Sequence, residues 1–144
     1  MASKNIIYKV DSKPTKELIE KLNEDKDVFF RFQNPYNKLT KRSKSWGMIY
    51  QSEREARADY KSMDLDPDDA ILNGKSCMDT LEGLYNWVDQ FDKDYVVLAF
   101  YGSDTGETGH DEEYVCTYCG KVAVFSFEDI IDYMDNKENL EEIA

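Results

Sequence analysis

The chain has 144 residues, 41% of them hydrophobic and 13% aromatic, and carries a formal net charge of −12. That length suits one domain with a real core, and the apolar and aromatic content excludes a disordered chain despite the charge. No run approaches the ~18 consecutive apolar residues of a membrane-spanning helix, and residues 1–9 lack the apolar stretch of a secretory leader. Cys77, Cys116 and Cys119 are an odd number of cysteines, which argues against a disulfide framework. A protein that stays in a reducing, cytoplasmic compartment is expected.

Residues 5–10 are rich in β-branched and aromatic side chains and predict an opening strand. Pro14, at a first helical position, predicts a helix to about Asn23 with Leu18, Ile19 and Leu22 as its apolar stripe. Residues 27–33 hold Val28, Phe29, Phe30 and Phe32 and predict a buried strand. Past the turn at Asn34-Pro35, Lys38, Lys41, Arg42 and Lys44 precede Trp46. This one basic cluster reads as a solvated loop or as a grip on phosphate or an acidic partner, anchored by Trp46.

Residues 52–63 are polar and helix-prone, and residues 64–69 break that helix in an acidic turn without the ligand pattern of an EF-hand. Residues 76–91 give the clearest helical spacing, with Ser76 or Asp79 as cap and Met78, Leu81, Leu84, Tyr85, Val88 and Phe91 on one face. Residues 95–101 are apolar on both faces and predict a central strand. A Gly-rich loop over 102–109 leads to two short strands, 113–118 and 121–126, joined by Cys119-Gly120. A short helix over 127–134 and a frayed acidic end complete the chain. The class is α+β, a small sheet of about four or five strands with three or four helices packed on it. Residues 1–136 are expected to form the single domain, and 137–144 an acidic flexible tail.

Charge is unevenly spread. Residues 1–61 hold 14 Lys/Arg against 9 Asp/Glu, and residues 62–144 hold 4 against 21. An acidic half of this kind serves solubility, or it docks on a basic protein surface by salt-sensitive attraction. Direct binding to nucleic acid through that half is not expected, because phosphates would be repelled.

The most specific motif is Cys116-Thr-Tyr-Cys119-Gly-Lys. Two cysteines at this spacing on a hairpin tip, followed by Gly120, form a zinc knuckle, and His110 with Cys77 would complete a closed Cys3His site. Such a zinc is structural, with no open position for activating water. Asp111 is an alternative fourth ligand, Cys77 is alternatively a buried small hydrophobe, and a redox dithiol shares the C-x-x-C spacing. For catalysis there is no G-x-S-x-G and no phosphate-binding or dinucleotide glycine fingerprint. The expectation is a binding protein rather than an enzyme.

Small size, strong acidity, the absence of an enzyme motif, and His110, Cys116, Cys119 and Cys77 together resemble the anti-CRISPR proteins directed at type II RNA-guided nucleases, some of which contain metal. The resemblance implies a phage- or mobile-element-encoded stoichiometric inhibitor in a bacterial cytoplasm, docking on a basic surface of the nuclease and keeping nucleic acid out. Its contacts would be Asp64, Asp66, Asp68, Asp69, Asp104, Glu107, Asp111, Glu112 and Glu113. Two other readings stand beside it. Residues 75–101 and the paired Glu112/Glu113 resemble the Ser and Glu positions of small ADP-ribosyltransferases, without an Arg in evident context. An immunity protein or antitoxin neutralising a basic toxin would show the same acidic face.

Overall fold

Four antiparallel strands in the order β1-β3-β4-β2 form the centre of the molecule: β1 (Val28–Gln33), β2 (Lys75–Cys77), β3 (Val96–Thr108) and β4 (Tyr114–Ser126). The computed structural model describes residues 5–46, 50, 52–108 and 113–143, the last six by their backbone alone. The helices are α1 (Lys16–Glu24), α2 (Glu53–Ser62), α3 (Leu81–Tyr85) and α4 (Phe127–Ile143), with 3-10 turns at Pro67–Ala70 and Val88–Gln90. Among the described residues no helix is long and apolar enough to cross a membrane.

The expected α+β class holds, and the sheet is covered on both faces. On one face Val28, Phe30 and Phe32 of β1, Val97 and Ala99 of β3, and Ala123 and Phe125 of β4 meet Ile19 and Leu22 of α1, Leu81 and Leu84 of α3, and Phe127 and Ile130 of α4. On the other, Phe29, Leu98, Phe100, Cys116 and Val124 are closed over by Tyr8 and Leu39. Val96–Phe100 is buried throughout, as expected of a central strand. Backbone bonds between Phe30 and Met78, 2.8 and 2.9 Å, bring the end of β2 back against β1, so the sheet curls towards closure.

Helix ends follow local chemistry. Thr15 and Thr80 cap α1 and α3 through their hydroxyls, accepting from the N–H of Leu18 and Gly83. Asn23 ties the two helices together, accepting from Leu81 N and donating to Glu82.

Several expectations are corrected. Residues 5–10 form no strand: Tyr8 is buried while Ile6, Ile7 and Val10 are exposed, and Ile7 and Tyr8 both donate to Pro35 O. The expected long helix over 76–91 is a strand, a short helix and a 3-10 turn. Lys75–Cys77 pairs with Tyr114–Cys116 instead, which satisfies backbone groups of the fully buried Ser76 and Cys77. Its apolar spacing still sends Leu81, Leu84, Met78, Val88 and Phe91 to one core. The Gly-rich loop is strand, since β3 runs to Thr108 with an exposed outer half. The two short strands at 113–126 are one strand, and α4 continues to Ile143 instead of ending near Met134.

Candidate functional site

Cys119-Gly120 is no hairpin tip. Tyr101 pairs with Gly120 and Gly102 with Tyr118, which leaves Cys119 as the extra residue of a β-bulge in the middle of β4. Cys119 is exposed, whereas Cys116 is fully buried on the inner face next to Cys77. Burial, together with a hydrogen bond to the Cys116 thiol, pushes the Cys77 thiol well above its ordinary pKa. A zinc ligand must be a thiolate, and here the two cysteines of the motif point into different environments. Cys77, Cys116 and Cys119 thus do not form one donor set, and no grouping of three or more His, Cys, Asp or Glu suited to a metal occurs among the described residues. His110, Asp111 and Glu112 lie outside the described residues.

The acidic candidates fall in two segments and one interior position. Asp64, Asp66, Asp68 and Asp69 are exposed around the turn after α2, where Asp68 pairs with Arg57 at 2.7 Å. Asp104 and Glu107 are exposed on the outer half of β3. Glu107 Oε2 accepts from the N–H of Asn73 at 3.1 Å. Glu113 is different: at 1% exposure it is interior and forms no part of a docking surface. Its charge instead acts on Arg31.

Arg31 is the residue that sequence reasoning missed. Alternation along β1 puts Phe29, Arg31 and Gln33 on the inner face, opposite Phe100, Leu98 and Val96 of β3. The guanidinium donates from Nη1 to Ser76 O at 2.7 Å, and Nε has no hydrogen-bond partner among the described residues. Burial lowers its pKa to about 10, partly offset by Cys77, Tyr8 and Glu113, so it stays cationic at neutral pH. Arg31 thus lies beside Ser76 O and within electrostatic reach of Glu113. Ser76, however, is fully enclosed, like Glu113.

Arg31 also lines a cleft of about 160 Å3, whose walls include Gln33, Lys38, Trp46, Lys75 and Tyr95. The loop before Trp46 is stitched to β2: Ser45 pairs with Leu72, and its hydroxyl accepts from Ser76 N at 3.0 Å. This holds the Trp46 ring 5.9 Å from Lys75 Nζ. Gly74 permits the close approach of β2 to β4, because a Cβ there would lie 2.7 Å from Cys116 O. Burial, with repulsion from Arg31, pushes the Lys75 ammonium down to about 7. Of the expected basic cluster, Lys38 and Trp46 belong to this cleft, while Lys41, Arg42 and Lys44 are exposed. A polar pair, Arg31 and Gln33, inside the apolar run VFFRFQ was the available signal; Lys75 carried none.

Fold and site define an α+β protein with a cationic cleft at one place and an exposed acidic surface at another. No family model, curated protein or solved structure matches the chain.

Proposed function

We propose that the chain is a stoichiometric inhibitor that docks its acidic surface on a basic surface of a nucleic-acid-handling enzyme, a type II CRISPR nuclease being the partner that the sequence resemblance implies. The observation that supports the reading is the exposure of Asp64, Asp66, Asp68 and Asp69 in the turn after α2 and of Asp104 and Glu107 on the outer half of β3. Exposed carboxylates complement the phosphate-binding cations of a nuclease, and such complementarity speeds association and competes with nucleic acid.

The test is guide-directed DNA cleavage titrated with the protein. Inhibition is expected to saturate near one inhibitor per nuclease. It should weaken stepwise on changing Asp66, Asp69 and Asp104 to Asn, and weaken further as salt is raised. Absence of inhibition at large excess across several such nucleases refutes the reading.

A second reading, a transferase acting on NAD, is favoured by the position of Arg31 beside Ser76 O and within electrostatic reach of Glu113. It requires Ser76 and Glu113 to become accessible on substrate binding. Release of nicotinamide from NAD, abolished by Glu113→Gln, supports it; no release by the wild-type protein removes it.

A further inference from the structure

The cleft at Arg31 and Lys75 is unlike the rest of this acidic molecule. Its lining holds Arg31, Lys38 and Lys75 and, among the described residues, no Asp or Glu. Lys75 has no ion pair among the described residues, and its neighbour is another cation. Arg31 disfavours the charged form of Lys75, Glu113 acting on Arg31 alone, and a dianion seated between the two side chains favours both in their charged form. We propose that this cleft binds a small aromatic phosphate of the mononucleotide class, its phosphate between Arg31 and Lys75 and its ring against Trp46.

Three features select that class. Arg31 lines the cleft as a guanidinium whose buried Nε has no partner among the described residues, so its donors are not all taken up by the protein. Trp46 is half-buried, packed on Tyr50, Ala56 and Ala70 with Lys75 Nζ over its ring, so a base reaches the indole as that ammonium moves off it onto the phosphate. Gln33 is fixed in orientation because its Nε2 donates to both Asn34 O and Asn37 O, at 3.1 and 3.0 Å. Its Oε1 is thereby left a buried acceptor with no partner among the described residues, reached by a ligand only where a side chain at the cleft wall gives way. A phosphate dianion has no proton to give it, whereas a nucleoside hydroxyl or exocyclic amine does.

Size sets the limit. A volume of about 160 Å3 matches one ring or one phosphate group, the rest of the ligand lying along the open mouth. The inference goes beyond the docking function and does not depend on it: nucleotide binding and nuclease inhibition are separate readouts, and either fails without the other.

Calorimetry and tryptophan fluorescence with AMP, GMP, CMP and UMP, inorganic phosphate and the four nucleosides test it. At least one mononucleotide should bind about tenfold or more tighter than phosphate or its own nucleoside. Lys75→Met should weaken that binding about tenfold, with the fold checked by circular dichroism, and Trp46→Phe should remove the fluorescence change. Calorimetry of the wild type at pH 8 in buffers of different ionisation heat should show proton uptake, as Lys75 gains its proton on binding. Lys41→Met, at an exposed lysine outside the cleft, should leave affinity within about twofold. The proposal is overturned if no mononucleotide saturates by about 1 mM, if phosphate alone binds as tightly, or if Lys75→Met binds like the wild type.

Discussion

Lys75 makes stability depend on pH in a direction that can be worked out beforehand. Its folded pKa of about 7 lies below the unfolded value of 10.5, so the unfolded chain binds more protons at every pH between them. Stability must therefore rise as pH rises through that window, and the destabilisation is fully present below pH 7. For one site with these two pKa values, the gain between pH 7 and 8.5 is about 1.6 kcal/mol. Replacing Lys75 with Met removes the charge and keeps much of the packed stem, so the variant should be more stable at pH 7, by an amount that shrinks as pH rises. The assay is urea unfolding of both proteins at half-unit steps from pH 7 to 8.5, read as the difference between them. That difference cancels every other group titrating in the range. Parallel profiles, or a gap that widens with pH, would refute the buried, unpaired state assigned to this lysine.

Three further outcomes are expected. Gly74→Ala forces a Cβ to 2.7 Å from Cys116 O and should cost about 1–3 kcal/mol in denaturant unfolding, because the neighbour is backbone and cannot turn aside. In a thiol titration of the native protein Cys119 alone should react promptly, with buried Cys77 and Cys116 reacting only on unfolding. Asp64 ends α2 at φ 59°, so Asp64→Gly should stabilise by about 1 kcal/mol, seen as a higher unfolding midpoint.

The cleft shows why the site was only partly legible. Arg31 and Gln33 interrupt an apolar strand at alternate positions, and that pattern can be read in one line of sequence. Their partners cannot, since Ser76 is 45 residues from Arg31 and reaches it only because β2 folds back to meet β1 at Phe30 and Met78. The C-x-x-C motif failed for the opposite reason. Its spacing is local, but whether two sulfurs converge depends on the backbone between them, and a bulge inside a long strand separates what a hairpin tip would join.

By itself the sequence determined the class, the central strand at 96–100, the apolar residues of the first core and the imbalance of charge. Each is a property of composition or of period, and burial enforces it whichever element carries the residue. Only the tertiary structure decided that residues 75–77 pair as a strand, that Glu113 turns inward, and that Arg31, Lys75 and Trp46 share one cleft. Those outcomes depend on which backbone groups and side chains, tens of residues apart, find partners when the sheet curls, and no local preference encodes that choice.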